Sequence, residues 1–242
     1  MVAYVKPRWR RDVERRHGEE TGRHAHTFAA IDLGTNNCRL LVARPSGDSF
    51  RVIDAFSRIV RLGEGMRETG ALTDAAMSRT VDALRICAAK MRRRRVDRAR
   101  LVATDACRRA ANSSGFLEQV ASETGLHLEI ISPEEEARLA LRGCAPLFAP
   151  DKRRALVFDI GGGSTEVMVF DTDASGKQGD CATGEGCWMS MPFGVVSLSE
   201  RYGGDALSRE SYAAMIDYVD QRLAPFCARN GIAGSARDGE LQ

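Results

Sequence analysis

The sequence predicts an α/β fold built as two related lobes with mixed sheets. Three observations carry that prediction. Strand-like and helix-like patterns alternate from Thr27 onward. One supersecondary unit occurs twice, as Asp32-Leu33-Gly34-Thr35-Asn36-Asn37 and as Asp159-Ile160-Gly161-Gly162-Gly163-Ser164. In both copies an apolar strand ends in Asp, an apolar residue and Gly follow, and a small polar turn leads into another apolar strand, which implies internal duplication. Finally, 242 residues suit one large domain or two small ones.

Composition is that of an ordinary globular protein, 43% hydrophobic and 28% charged. Lys plus Arg number 35 and Asp plus Glu 33, so the net charge of +2 calls for neither nucleic acid nor membrane. No apolar run approaches the roughly 18 residues of a membrane span. The N-terminus shows no apolar core of a signal peptide, so a cytoplasmic location is expected. The cysteines at 38, 87, 107, 144, 181, 187 and 227 form an odd set without a C-x-x-C pair. Several sit in apolar runs, which favours reduced, buried thiols over a disulfide framework or a zinc site. Only Cys181 and Cys187, in a Gly-rich loop, are placed to pair.

Residues 1–26 are polar, Arg-rich and aperiodic, and read as a disordered basic tail; His17, His24 and His26 lie there as solvated side chains. The first lobe is expected over 27–143. TFAAIDL, CRLLVARP and FRVIDAFSRIVRL read as an antiparallel meander around two turns. Thr73 or Asp74 caps a helix whose stripe is Ala76, Met77, Val81, Leu84, Cys87, Ala88 and Met91. RLVATDA (100–106) is a strand, a helix opened by Asn112, Ser113 or Ser114 ends at Gly125, and LHLEIIS (126–132) is a strand. Ser132-Pro133-Glu134-Glu135 opens the next helix, with Ser132 as cap, Pro133 at the first position and Glu135 completing a capping box. A partial second lobe is expected over 151–242. It runs through LVFDIGGGSTEVMVFD, a long loop at 171–187, MSMPFGVVSLSERY and a helix near 205–228.

The chemistry centres on the two turns. Taking Gly162 and Gly163 as a two-residue loop pairs Ile160 with Thr165 and Asp159 with Glu166, and direct partners share a face of the sheet. Glycines at the tip let amides approach an anion closely. Two adjacent carboxylates repel, and a cation beside a phosphate loop would compensate them; an ordinary Gly-rich hairpin with two solvated acids fits equally well. The same logic pairs Asp32 with Arg39, either as a weak cross-strand salt bridge or with the arginine aimed at a phosphate near Gly34–Asn37. Arg108, after a short strand, is an anion ligand or surface charge, and Arg109 offers the same. Helix capping accounts for Glu134 and Glu135. Glu136 differs, because its i+3, i+4 and i+7 neighbours are Leu139, Ala140 and Gly143. A carboxylate on a buried stripe needs a partner or a task, and partial burial would tune it toward general-base use. The run Arg92–Arg95 complements a helix C-terminus or forms a track for a polyanion.

From Phe28 to Tyr202, in order, the pieces AAIDLGTNNCRLLVA, IVRLGEGM, LTDAAMSRTVDAL, ATDACRRAAN, EIISPEEEARLA, LVFDIGGGSTEVMVF and MPFGVVSLSERY resemble the exopolyphosphatase / guanosine pentaphosphate phosphohydrolase (Ppx/GppA) family. That family has the sugar kinase/Hsp70/actin fold, also called the actin-like ATPase or ribonuclease H-like fold. The resemblance implies Glu136 as catalytic base. It implies Asp159 and Glu166 as ligands of Mg²⁺ or another divalent cation. It implies phosphate contacts from Gly34, Thr35, Asn36, Asn37, Arg39, Arg108, Gly161, Gly162, Gly163, Ser164 and Thr165. The expected reaction is hydrolysis of the terminal phosphoanhydride of inorganic polyphosphate, with guanosine pentaphosphate as the alternative substrate. Partners would be polyphosphate or a guanosine polyphosphate, with no membrane and no specific nucleic acid, and with a homodimer left open. A catalytically inactive phosphate- or nucleotide-binding fragment is the reading from another class. An actin-like ATPase or kinase is disfavoured, because EEEARLA belongs to the phosphatase pattern. The first loop reads GTNNC where relatives often have G-S-N-S, and Pro133 stands where Gly is usual. The family continues beyond the position of Gln242 into a G-T-S-G-T turn, so the second lobe is expected to be incomplete.

Overall fold

The computed structural model describes residues 26–47, 49–144, 147–148, 154–171, 188–204 and 206–232. The chain divides into two compact units, Met1–Ile131 and Ser132–Gln242. The tail (apart from His26), the 171–187 loop beyond Asp171, Cys181, Cys187 and the residues after Ile232 lie outside the described part.

The first unit is a five-stranded sheet of order β3-β2-β1-β4-β5. Its strands are β1 (Phe28–Leu33), β2 (Asn37–Ser46), β3 (Ser49–Ile59), β4 (Arg98–Ala103) and β5 (Glu129–Ile130). β1, β2 and β3 form the expected antiparallel meander, with a bulge at Val42/Ala43, and β4 joins β1 in parallel. Helices α1 (Met66–Thr69), α2 (Asp74–Arg93), α3 (Asp105–Arg109) and α4 (Ser113–Thr124) complete the unit. Strict alternation along β1 sends Ala29, Ile31 and Leu33 inward, and Phe28, Ala30 and Asp32 outward. The inward set packs with Cys38, Leu40 and Val42 of β2 and with Leu84, Cys87 and Met91 of α2 in one core. The predicted stripe on α2 is the buried one, and Thr73 caps the helix by accepting the Ala76 amide at 3.3 Å. Asn112 does not cap α4. Its amide group instead brackets Leu72, accepting its N–H at 2.8 Å and donating to its carbonyl at 2.9 Å.

Two expectations shorten. The 100–106 strand ends at Ala103, because Asp105–Arg109 turns into a short helix after Thr104. The 126–132 strand keeps ladder pairing only at Glu129–Ile130.

The second unit is a three-stranded antiparallel sheet of β6 (Arg154–Ile160), β7 (Thr165–Asp171) and β8 (Trp188–Met191). It also holds helices α5 (Pro133–Cys144), α6 (Val195–Tyr202) and α7 (Arg209–Arg229). β7 is covered on both faces. Met168 and Phe170 pack with Ala155, Val157 and, from α5, Ala137 and Leu141. Val167 and Val169 pack with Met191, Phe193 and Phe226. The sequence places the Pro133 helix in the first lobe, but its apolar side chains complete the second unit's core, so the units divide ahead of it at Ile131/Ser132. The five cysteines among the described residues are free thiols, and burial pushes Cys107 up to about 12.

Candidate functional site

Each repeated motif folds as a hairpin with a two-residue tip. In the first unit the ladder pairs Asp32 with Arg39, and the Gly34 amide donates to the Asn37 carbonyl at 2.9 Å. In the second the ladder pairs Asp159 with Glu166 and Ile160 with Thr165, and Gly161 donates to the Ser164 carbonyl, also at 2.9 Å. Both registers are those deduced from the turn length.

The tip carbonyls are spoken for. Asn36 O accepts the Val60 and Arg61 amides at 2.8 and 3.0 Å, and Thr35 O accepts Gly63 N–H at 3.0 Å. In the second unit Gly161 O accepts Val195 N–H at 3.0 Å, and Gly162 O accepts Val196 and Ser197 at 2.9 and 3.2 Å. The first amides of α6, otherwise orphan donors, are thus used to hold the Gly-rich tip. Among the described residues, the backbone bonds of the turns leave the amides of Thr35 and Asn36, and of Gly162, Gly163 and Ser164, without an acceptor. The Thr35 hydroxyl is buried and also lacks a partner.

Strand alternation puts Glu166, Met168 and Phe170 on the α5 side of β7. Register adds Asp159 from β6 and Ser190 from β8 to that side. Glu166 is 1% exposed. Ser190 Oγ donates to it at 2.7 Å and Ser164 Oγ at 3.4 Å. Burial first, and then the negative charges of Glu136 and Asp159, push the Glu166 carboxyl up to about 7 against the two hydroxyls that lower it. Glu136 of α5 and Asp159 of β6 therefore both act electrostatically on Glu166 of β7. Among the described residues no Lys, Arg or His forms an ion pair with Asp159 or Glu166.

Ser132 caps α5 by accepting the Glu135 amide at 3.1 Å, and Glu135 itself pairs with Arg138. The buried stripe of α5 is Ala137 and Leu141, flanked by Ala140 and Cys144, one residue later than the stripe read from Glu136. Glu136 stands at the edge of that stripe, half-buried.

The remaining predicted positions differ in what their side chains do. Thr165 turns to the other face and donates to Phe193 O at 2.8 Å. Arg39 is exposed on the outer face of the first sheet. Arg108 is largely buried, donates to Ile131 O at 3.0 Å and lies 4.0 Å from Asp105. Sequence reasoning missed three contributors: Ser190, which bonds Glu166, and two close-approach glycines. A Cβ at Gly194 would lie 2.2 Å from Gly161 O, and one at Gly63 would lie 2.3 Å from the Thr35 methyl. Both glycines sit inside the quoted motifs, in LGEGM and MPFGVV, with no local sign of what they touch.

Residues 41–239 match the model of the Ppx/GppA phosphatase family. Guanosine-5′-triphosphate,3′-diphosphate pyrophosphatase of Aliivibrio fischeri is 35% identical over 199 residues, which is 82% of this chain and 38% of that protein. The chain thus spans well under half the length of the curated relatives it matches. Among solved structures, the Aquifex aeolicus Ppx/GppA family member is 30% identical with a TM-score of 0.64, over 84% of this chain and 63% of that one. An exopolyphosphatase from Cytophaga hutchinsonii is 25% identical with a TM-score of 0.72, over 83% and 61%.

Proposed function

The chain belongs to the Ppx/GppA phosphatase family, with its actin-like fold, and from that premise we propose that it serves hydrolysis of the terminal phosphoanhydride of inorganic polyphosphate. The observation that carries the reading is the convergence of Glu136, Asp159 and Glu166 beside a tip with unused amides. Glu136, at the rim of the buried stripe, takes a proton from water. The water oxygen forms the new bond to the terminal phosphorus, the bridging P–O bond breaks, and orthophosphate leaves with the shortened chain. The amides of Gly162, Gly163 and Ser164 donate to phosphate oxygens. In the first unit the amides of Thr35 and Asn36, the Thr35 hydroxyl and the Arg39 guanidinium are the corresponding donors.

Asp159 and Glu166 are the side chains that would hold a divalent cation. The fit rests on this pair: two acids on one face, with no cationic side chain paired to either among the described residues. No set of three or more His, Cys, Asp or Glu able to hold a metal occurs among those residues. The remaining positions would therefore come from water and substrate phosphate, as is usual for Mg²⁺. Such an ion neutralises charge on the phosphates.

Glu136→Gln is expected to lower phosphate release from long-chain polyphosphate by about 10²- to 10⁴-fold; equal rates would remove Glu136 from the role. A second reading takes guanosine pentaphosphate as substrate, favoured by the name of the curated relatives. Comparing kcat/KM for the two substrates on one preparation decides between them.

A further inference from the structure

We infer that the C-terminal end of α2 forms a second anion-binding surface, which takes a stretch of inorganic polyphosphate outside the candidate site. The choice of ligand rests on the reading above; the surface itself does not.

Four arginines in succession, Arg92 to Arg95, close this helix. Among the described residues the only acid they meet is Asp54 of β3, which receives Lys90 Nζ at 2.6 Å, Arg94 Nε at 2.8 Å and Arg93 at 3.2 Å. Those three hydrogen bonds hold the Asp54 carboxyl far below the usual carboxylate range. One buried carboxylate therefore gathers three cations, while Arg92 and Arg95 stay exposed with no ion pair among the described residues. Helix-dipole complementarity is served by one or two of these charges and does not explain five. Beside them the β2–β3 ladder sets Arg44 opposite Arg51, a like-charge cross-strand pair that costs stability.

The backbone adds an independent sign. Arg95 has φ 52°, the left-handed position at which glycine is favoured. Its amide reaches Arg92 O at 3.0 Å and the next amide reaches Met91 O at 3.1 Å, a Schellman closure. An arginine is kept there against local backbone preference.

Location separates this surface from the phosphate turn. Asp54 lies opposite Val42, five residues up β2 from Asn37. The two are about 17 Å apart at 3.3 Å per residue. Alternation places Phe28, Phe50 and Val52 on the opposite face of the sheet. Phe56, on the helix side of β3, packs on the core with Arg58 over its ring. Among the described residues the arginine side thus offers guanidinium groups, which suit phosphate, without an exposed stacking platform for bases.

The test uses the full chain, with binding of long-chain polyphosphate and of tripolyphosphate followed against salt. Arg92→Gln with Arg95→Gly is expected to weaken long-chain binding about tenfold and to lower the salt slope by about two, with tripolyphosphate binding unchanged. Arg95→Gly alone is expected to raise Tm by about 2 °C, the opposite of what a structural arginine would do. Glu136→Gln is expected to keep long-chain binding while losing turnover; no phosphate release from the wild type with long-chain binding intact would count against hydrolysis and still support the surface. Unchanged long-chain affinity in the double variant, or a lower Tm for Arg95→Gly, overturns the proposal. So does RNA of equal phosphate number binding as tightly as polyphosphate.

Discussion

The two hairpins share a backbone and differ in what stands beside it. Each has an Asp at the end of the first strand, a 2.9 Å bond from the glycine after it, and tip carbonyls held by a later segment. Each is approached by a glycine that leaves no room for a Cβ. In the first, the residue facing the aspartate is an exposed arginine; in the second it is a glutamate 1% exposed. On the proposed function, the duplicated feature is an anion cradle made of main chain. Charge is the variable part. In that proposal one copy meets an anion with a cation of its own, Arg39, while the other pairs two carboxylates, Asp159 and Glu166, that would hold a cation from outside.

Substitutions can break this comparison, and the largest effect is expected at Gly194. Gly194→Ala drives a methyl into Gly161 backbone, which cannot swing aside, so unfolding free energy should drop by about 3 kcal/mol, read by urea denaturation. A change under 1 kcal/mol would mean that the cradle is not held by α6.

Glu166 comes next. Its folded pKa of about 7 lies above the ordinary 4.5, so the native state binds the extra proton between those values. Stability of the metal-free chain is therefore highest below about pH 4.5 for this group and falls as pH rises toward 7, by about 3 kcal/mol. Glu166→Gln should flatten that part of the pH profile, and Mg²⁺ should stabilise the wild type above pH 7 but not the variant. An unchanged slope in Glu166→Gln would place the effect elsewhere.

Gly63→Ala should cost less than Gly194→Ala, about 1 to 2 kcal/mol, because the obstructing atom is the methyl of Thr35 rather than backbone. Equal losses would erase the distinction between the two buttresses. Smallest in stability is Arg39→Gln, within about 0.5 kcal/mol for an exposed residue. Its effect should appear instead as a raised KM for polyphosphate, and an unaltered KM would leave only the second hairpin as an anion cradle.

Much of this was readable before any coordinates, for a physical reason. A two-residue turn dictates partners by counting, so Asp159–Glu166 follows from the glycine tip and Asp32–Arg39 from the same turn length in the first copy. The α2 stripe followed from its 3.6-residue period. What escaped depends on distant chain. Whether Glu136 lies on the buried stripe or beside it is decided by β6 and β7, which select Ala137 and Leu141 instead. Strand 126–132 is nearly all lost because only Val102 and Ala103 of β4 pair with it. The duty of Gly194 is invisible locally, since its obstacle is thirty-odd residues away in sequence.

The ladder of β6 and β7 also sets a rule of parity for change at the tip. Adding one residue between Gly161 and Ser164 would present Thr165 to Asp159 and removing one would present Val167; either change would turn β7 over and send Glu166 toward Phe193. Two residues would restore the side but move the carboxylate a full step along the strand. The acidic pair is in this sense addressed by loop length as much as by residue type, so a single codon inserted at the tip would abolish it while leaving every side chain named above in the sequence.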